Sequence, residues 1–194
     1  MATIDKSQHT TGAKPDQTES ENPMTIRILP ATPKDIPHIQ QIVEISWPDT
    51  YGAILSEAQL SYMIDMMYNT KTLTEQISTT HHYFILWADR PTSATSTAMG
   101  FIDVEKQDSL HCKLHKIYLL PDSKGKGYGR LLMDHAVQTS KALGASFLKL
   151  NVNRHNNALA FYERMGFTLH ETVDNAIGQG YYMNDYVMIR ALDT

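Results

Sequence analysis

The sequence contains a single cysteine, Cys112, so no disulfide can form within the chain. A chain without disulfides is typical of reducing compartments. No apolar run approaches the roughly 20 residues that a membrane-spanning helix needs, and the first residues, Met1–His9, lack the apolar stretch of a signal peptide. From these absences we expect a cytoplasmic protein with no membrane partner.

An excess of basic charge is also missing. Lys and Arg number 17 against 21 Asp and Glu, which gives the 194-residue chain a formal charge of −4. Because nucleic-acid-binding surfaces depend on clustered Lys and Arg, we expect no nucleic-acid partner. The composition, 42% hydrophobic and 20% charged, is that of an ordinary globular domain long enough to bury a core.

The chain divides into two parts by composition. Residues 1–23 are polar and have almost no large apolar side chain. Such a segment cannot offset its ordering entropy by burial, so we expect a disordered N-terminal tail. Residues 24–194 carry regular apolar patterns and are expected to form one domain.

Helix and strand patterns alternate along this domain, which predicts a mixed α/β fold. Thr32 and Pro33 are typical of a helix start, and we expect that helix to end at Pro48. A second helix should begin after the cap Ser56, and a third should include Leu73 and Ile77. Two later helices are predicted over Tyr128–Leu143, with Leu131, Leu132, His135, Ala136 and Thr139 on one side, and over Asn157–Met165. Strands are predicted at Thr25–Leu29, Tyr83–Ala88, Met99–Val104, Lys113–Leu119, Phe147–Val152, Phe167–Val173 and Gly180–Arg190, with a hairpin loop over 91–97.

A glycine-rich turn, Lys124-Gly-Lys-Gly-Tyr-Gly-Arg130, lies between a predicted strand and a predicted helix. Glycines allow a backbone to approach a ligand closely, and the free amides at a helix start form an anion site. The spacing fits neither the P-loop nor the dinucleotide-binding fingerprint. From the turn alone, a phosphate cradle and a flexible helix-capping turn are both open.

A second motif follows about thirty residues later, Asn156-Asn-Ala-Leu-Ala-Phe-Tyr-Glu-Arg-Met-Gly-Phe167. The two motifs together resemble the GNAT acyltransferases, with Lys124 where the family has Gln or Arg. The resemblance implies a mixed, mostly antiparallel twisted sheet of six or seven strands with helices on both faces. It also implies an N-acetyltransferase that uses acetyl-CoA.

The resemblance further implies how the cofactor is held. Main-chain groups of Ile117, Tyr118 and Leu119 would meet the pantetheine arm, and the glycine turn would hold the pyrophosphate. The turn residues concerned are Lys124, Gly125, Lys126, Gly127, Tyr128, Gly129 and Arg130. Asn156 resembles an asparagine that touches the cofactor, although an asparagine there equally suits a helix cap.

By the same resemblance, Tyr162 is the acid that donates a proton to the CoA sulfur; in isolation it would be interpreted as a core tyrosine. His115, with an ordinary pKa near 6.5, is the candidate base, although a partly exposed strand histidine is an equal interpretation. Asp103 or Glu105 on the preceding strand could instead act through an ordered water.

We predict no metal site. His111 and His115, on either side of Cys112, lie four residues apart on a predicted strand, or about 13 Å. That separation is too large for both to bind one ion.

The acceptor is indicated by two further segments. Trp47-Pro-Asp-Thr-Tyr51 and Gly180–Met188 resemble bacterial spermidine/spermine acetyltransferases of the PaiA type. A small amine such as a polyamine is therefore the expected acceptor, and Glu44, Asp49 and Asp185 are its candidate carboxylates. Trp47 and Tyr51 are candidate pocket aromatics. Acetylation of protein N-termini or lysines, a non-catalytic CoA-binding domain, and a homodimer remain open alternatives.

Overall fold

The computed structural model describes residues 24–89 and 95–193. The predicted disordered tail and most of the predicted hairpin loop lie outside the described residues. The helices are α1 Ile36–Tyr51, α2 Glu57–Tyr68, α3 Thr70–Ile77, α4 Tyr128–Ala142 and α5 Leu159–Arg164. The strands are β1 Thr25–Pro30, β2 His81–Asp89, β3 Ser96–Lys106, β4 His111–Leu119, β5 Phe147–Asn153, β6 Thr168–Gly178 and β7 Tyr181–Ala191. None of the described helices combines the length and apolar character that a bilayer crossing requires.

The strands form one seven-stranded sheet in the order β1-β2-β3-β4-β5-β7-β6. Every neighbouring pair is antiparallel except β4 and β5, which run parallel and are connected through α4. Two parallel strands begin at the same end of the sheet, so the chain has to return along the sheet between them, and a tight turn is too short for that. The predicted mixed α/β fold with a mostly antiparallel sheet is confirmed.

The parallel pair separates half-way along its length. β4 and β5 are paired only from His111–Leu114 to Phe147–Leu150. Beyond Leu114, β4 stays paired to β3 but no longer to β5. The last part of β4 therefore has one edge without a strand partner among the described residues, and a cleft opens between the two strands.

A β-bulge lies at the start of this cleft. Leu114 pairs with Val104 and Lys116 pairs with Asp103, so His115 is the extra residue on β4. Bulges redirect side chains and are common near functional sites. The bulge therefore places His115 at the point where the strands separate.

Apolar side chains cover both faces of the sheet. Helices α4 and α5 pack on one face, where Leu132 of α4 and Leu148 of β5 belong to the same core. Helices α1 to α3 pack on the other face, where Ile39 of α1 and Phe101 of β3 share a second core. These four side chains are fully buried, and each such burial contributes about 1.5–3 kcal/mol. Both helical layers are thereby fixed against the sheet that carries the cleft.

The first helix does not end at Pro48, as the sequence predicted, but continues to Tyr51. Within a helix, proline lacks the N–H that would bond to the residue four positions earlier, and its ring crowds the carbonyl group of that residue. That residue, Glu44, and Pro48 are both exposed, so water can satisfy the freed carbonyl group. Gly52 then donates to the Pro48 carbonyl oxygen at 3.0 Å and closes the helix.

The buried face of α4 and the start of α5 also differ from the predictions. The buried face of α4 includes Leu132, Met133 and Ala136, whereas Leu131 is 44% exposed, so the predicted face was rotated by about one residue. Helix α5 begins at Leu159 rather than at Asn157, because the Asn156 side chain first accepts the Ala158 N–H at 2.8 Å and forms a turn.

Candidate active site

The glycine turn has a backbone that only glycine adopts at low cost. Gly125 and Gly127 both have φ of 77°, in the left-handed region. No atom lies within 4 Å of where a Cβ would stand at either position. The glycines are therefore required by the backbone conformation, and the space around them is open to a ligand.

This turn presents a group of unpaired main-chain amides. The N–H groups of Lys126 and Leu131 donate within the turn, to the carbonyl oxygens of Ser123 and Gly127. Among the described residues, nothing accepts from the other amides of the segment, those of Gly125, Gly127, Tyr128, Gly129 and Arg130. Such amides at the positive end of a helix favour an anion.

Charged side chains surround these amides. Lys124, Lys126 and Arg130 are all exposed, and the only ion pair that they form with another described residue joins Arg130 to Asp134 at 3.7 Å. Both of those side chains are well exposed, so the pair is weak. The turn can therefore hold a phosphate group by main-chain donors and by added positive charge.

The cleft between the separated strands contains a cavity of about 400 Å³, here called the β4–β5 cavity. It is lined by Ile117, Tyr118 and Leu119 of β4, by Gly129 of the glycine turn, by Asn156 and Tyr162, and by Asp49, Tyr51, His115, Asn151 and Phe161. The structure thus brings together the predicted strand, part of the turn and the predicted acid. Asn156 both caps the turn before α5 and faces this cavity.

Tyr162 lies on α5 at the wall of this cavity and is 8% exposed. Burial raises the pKa of its hydroxyl above the usual value of 10.0. None of the described residues forms a hydrogen bond with that hydroxyl. Tyr162 therefore holds its proton at neutral pH and is available to donate it to a ligand.

A second cavity, also about 400 Å³, lies under α1, α2 and α3 and is here called the α1–α2 cavity. Half of its lining is polar or charged: Gln59, Thr72, Gln76, Lys113, His115, Lys116, Asn151, Asn153, Asn175 and Asp185. The other half is aromatic or aliphatic: Trp47, Tyr51, Leu55, Met63, Met66, Met67, Tyr68, Tyr118, Tyr182 and Met183. Such a lining suits a small molecule that has both apolar and polar parts.

The hairpin of β6 and β7 closes one side of this second cavity. Tyr62 on α2 donates to the Ile177 carbonyl oxygen at 2.6 Å, and Gln59 donates to the Tyr182 carbonyl oxygen at 3.1 Å. These bonds connect the hairpin tip to α2. The hairpin therefore covers one side of the cavity.

The two cavities meet at a shared wall. Tyr51, His115, Tyr118 and Asn151 line both of them. The hydroxyl oxygens of Tyr51 and Tyr118 are 3.1 Å apart, and burial raises the pKa of both groups. Ligands in the two cavities would therefore approach each other beside His115.

His115 is supported from behind by a carboxylate. Its Nε2 lies 2.8 Å from Glu105 Oε2, and no described residue contacts Nδ1 by a hydrogen bond. Burial lowers the pKa of the imidazole, although the charge of Asp103 and the hydrogen bond to Glu105 oppose that shift. Neutral His115 that donates from Nε2 to Glu105 keeps a lone pair on Nδ1, which is the form that a base requires. Asp103 and Glu105 themselves line neither cavity.

Only one of the predicted acceptor carboxylates lies in the α1–α2 cavity. Asp185 is 3% exposed there, and burial raises its pKa. Asp49 is exposed and borders the other cavity. Glu44 is exposed on α1 and lies outside both cavities, so it has no place in the proposed acceptor site. Trp47 and Tyr51, the predicted pocket aromatics, line the α1–α2 cavity, and their contact with an acceptor stays a prediction.

Comparison with known proteins agrees with this geometry. The sequence pattern of the acetyltransferase (GNAT) family matches residues 39–167, about two thirds of the chain. The chain belongs to the GNAT family. It is therefore an N-acetyltransferase, and acetyl-CoA is its co-substrate.

Individual relatives cover most of this GNAT enzyme. Spermidine N(1)-acetyltransferase of Thermoplasma acidophilum is 29% identical over 151 residues, which is 77% of this chain and 92% of the relative. The structure of PaiA N-acetyltransferase from the same organism, in complex with coenzyme A, has a TM-score of 0.71 at 24% identity and covers 86% of this chain and 99% of that one. The Escherichia coli ribosomal-protein-S18-alanine N-acetyltransferase has a TM-score of 0.64 at 19% identity, with 88% and 96% covered. The two structures show a shared fold.

The sequence analysis missed the polar groups that the sheet register brings to the α1–α2 cavity. Lys113 and Lys116 lie on β4 and face the cavity on either side of Leu114 and His115. Burial lowers the pKa of Lys113. The alternation of residues along β4 did not indicate this, because Cys112 and Leu114 pack in the core with α4 and the bulge turns Lys116 to the other face of the sheet, beside Tyr68 and Tyr83.

Lys116 belongs to a buried ion pair beneath the cavity. Its Nζ lies 2.8 Å from Asp103 Oδ2, with the two side chains 8% and 0% exposed. His81 Nδ1 contacts the same carboxylate at 2.9 Å. Burial opposes ionisation of Asp103, but the His81 bond and the Lys116 charge outweigh it and hold the pKa of that carboxyl below its usual value.

We expect Lys116→Met to reduce the free energy of unfolding by about 3–5 kcal/mol, because the buried Asp103 carboxylate loses its cation. Urea denaturation followed by circular dichroism measures this change. Arg27→Met is the control, since Arg27 pairs with Asp89 at 2.8 Å on the exposed edge of the sheet. A loss for Lys116→Met no larger than that for Arg27→Met would contradict the assignment.

Proposed function

We propose that this enzyme transfers the acetyl group of acetyl-CoA to a primary amine of a small molecule by direct attack, and that a polyamine such as spermidine is the leading acceptor. The observation that carries the proposal is the shared wall of the two cavities. A thioester in the β4–β5 cavity and an amine in the α1–α2 cavity would meet beside His115 and Tyr162.

Acetyl-CoA has one extended path on this surface. The amides of Gly125 to Arg130 would bind the pyrophosphate, and the unpaired edge of β4 from Ile117 to Leu119 would offer main-chain groups to the pantetheine arm. The arm would then run between β4 and β5 and bring the thioester to Tyr162. The protein thus positions the co-substrate largely through main-chain atoms.

The amine must lose a proton before it can attack. An alkyl ammonium with a pKa of about 10.4 is neutral only about once in 2,500 molecules at pH 7, which corresponds to roughly 4–5 kcal/mol. His115 Nδ1, with its lone pair maintained by the Nε2–Glu105 bond, is the proposed proton acceptor. The freed amine attacks the thioester carbonyl carbon, and the C–S bond breaks as the tetrahedral intermediate collapses.

The CoA thiolate leaves and has to be protonated. Tyr162 is the proposed donor, since burial keeps its phenol protonated and its hydroxyl has no other partner among the described residues. Transfer from phenol to thiolate is uphill on ordinary pKa values, and the raised pKa of the buried Tyr162 makes it more so. The hydroxyl must therefore act at short range. No covalent enzyme intermediate is needed.

The cover on one side of the α1–α2 cavity favours a small acceptor. The connection between the hairpin and α2 stands on the side that a peptide chain would have to cross. The relative named as a spermidine acetyltransferase supports a polyamine. The lining has one carboxylate, Asp185, and two lysines, Lys113 near Asp185 and Lys116 paired with Asp103, so the pocket would bind one ammonium group at Asp185 and leave any other outside.

The acceptor proposal is tested by measuring CoA release with spermidine, spermine, single amino acids and short peptides side by side. We expect a polyamine to give the highest kcat/KM. We also expect Asp185→Asn to raise KM for it about tenfold or more, since a bond to a charged group is worth about 1.5–3 kcal/mol. Glu44→Gln, which removes a carboxylate outside both cavities, is the control. Turnover with peptides but not with polyamines would favour protein acetylation instead.

The co-substrate site is tested with two glycine substitutions of equal backbone strain. Gly127→Ala should destabilise the protein by about 1–2 kcal/mol, because φ of 77° is costly for alanine, and should weaken acetyl-CoA binding in calorimetry. Gly144→Ala has the same strain at φ of 78° but lies outside the turn, after α4. It should lose similar stability and keep its affinity. Equal affinity in the two variants would remove the turn from the cofactor site.

Tyr162→Phe should lower kcat about a hundredfold or more, in line with the loss of a general acid, without weakening acetyl-CoA binding. Tyr186→Phe removes a half-buried hydroxyl that lines neither cavity and is the matched control. Steady-state kinetics and calorimetry on both variants give the comparison. An unchanged kcat for Tyr162→Phe would remove Tyr162 from the mechanism and would leave the cofactor site intact.

A further inference from the structure

Three neighbouring strands place two histidines and a glutamate together behind the shared wall of the cavities. His81 on β2 pairs in register with Glu105 on β3, and the bulge turns His115 of β4 toward the same carboxylate. His115 Nε2 lies 2.8 Å from Glu105 Oε2, and His81 Nε2 lies 3.7 Å from Glu105 Oε1. One ligand atom from each residue lies within 4.8 Å of the others.

The tautomer of His81 suits a metal ion. Its Nδ1 lies 2.9 Å from the Asp103 carboxylate, which accepts that N–H. The lone pair of His81 is then on Nε2, the nitrogen that faces Glu105. A carboxylate bonded to the remote nitrogen of a histidine is the usual outer support of a metal-binding imidazole.

The donor set and its surroundings are also those of a metal site. Two imidazole nitrogens and one carboxylate form a zinc-binding set that leaves a fourth position for water. Two cations act on His115, Lys113 and Lys116. Lys116 is paired with Asp103 and bonded to Gln76, and burial lowers the pKa of Lys113, so neither prevents an ion from binding. The side chains of His81, Glu105 and His115 are 13%, 22% and 23% exposed, so an ion can reach them from solvent.

We propose that a divalent transition-metal ion, foremost Zn²⁺, binds to His81 Nε2, the Glu105 carboxylate and His115 Nε2. Coordination requires the proton on His115 Nε2 to move to Nδ1, while the ring stays neutral. The nitrogen that carried the lone pair then becomes a donor. The ion is thus a regulator rather than a cofactor. It replaces the hydrogen bond between His115 Nε2 and Glu105, and His115 Nδ1 can then no longer accept a proton.

Sequence spacing could not indicate this site. His111, the histidine nearest to His115 along the chain, bonds to Asp108 at 3.0 Å and does not belong to the cluster. The ligands come from three strands, and their approach depends on the register of β2 with β3 and on the bulge in β4.

The binding test uses Co²⁺ as a spectroscopic probe on protein without a polyhistidine tag. We expect saturable visible absorption bands at one ion per chain, and their loss when Zn²⁺ displaces the probe. His81→Ala and Glu105→Gln should each weaken binding more than about a hundredfold, beyond the roughly 10–100-fold effect of losing an outer-shell partner. His82→Ala removes the exposed neighbouring histidine of the same strand and should bind as the wild type does.

Each variant is first checked by thermal unfolding and by acetyl-CoA binding without metal, so that a misfolded protein is not mistaken for a lost ligand. Glu105→Gln keeps the size and hydrogen-bonding capacity of the side chain and serves as the second variant if His81→Ala is unstable. No saturable absorption in the wild type, or equal affinity in the wild type, His81→Ala and Glu105→Gln, would overturn the site.

The effect on turnover rests on the proposed function and is measured separately. Zn²⁺ should inhibit the wild type and His82→Ala at the same concentration, EDTA should restore activity, and His81→Ala should need more than about a hundredfold more Zn²⁺. Binding by spectroscopy without inhibition would contradict the role of His115 as the base and would retain the metal site. Inhibition that is equal in His81→Ala would place the inhibitory ion elsewhere.

Discussion

The separation of β4 from β5 after Leu114 and Leu150 is the constraint on which the rest of the site depends. Unpaired strand edges are costly unless something covers them. Here the cost is localised to a short segment whose free main-chain groups face a cavity rather than bulk solvent. The glycine turn, α4 and α5 all pack around that opening, and both helical layers hold it in place.

Charged side chains of the neighbouring strands lie close to this opening. On the inner side of the sheet, Asp103 is fully buried and holds His81 and Lys116. One residue pair further along, Glu105 contacts His115 and the hydroxyl of Thr80. The strands thus place a buried ion pair and a histidine–glutamate pair side by side, with Lys116 and His115 of β4 at the wall of the α1–α2 cavity. The groups nearest the cavities have hydrogen-bond capacity left for a ligand.

Local features were predictable from the sequence, and features that depend on register were not. The glycine turn was identifiable because consecutive amides and left-handed glycines are properties of neighbouring residues. Tyr162 was identifiable through its motif. Glu44 and Asp185, by contrast, are equivalent as carboxylates in a sequence. Only the pairing of β7 with β5, which sets Asp185 opposite Asn153, buries one of them in the cavity.

The partners of His115 also depend on strand register and were not predictable from the sequence. Nothing in the chain between Glu105 and His115 indicates that their side chains meet, because the bulge that joins them is a property of two strands. The Pro48 prediction was wrong for a different reason. A proline on the exposed side of a helix costs one backbone hydrogen bond, and water can replace that bond. The burial of Val43 and Trp47 stabilises the helix by more than this cost.

Gly52 lies outside both cavities, but the extra turn of α1 beyond Pro48 depends on it. A Cβ at residue 52 would lie 2.5 Å from the Pro48 carbonyl oxygen, so any side chain there would push the helix end apart. Tyr51, which borders both cavities and contacts Tyr118, is the residue immediately before it. The alignment of donor and acceptor molecules therefore depends on the absence of one methyl group at a helix terminus.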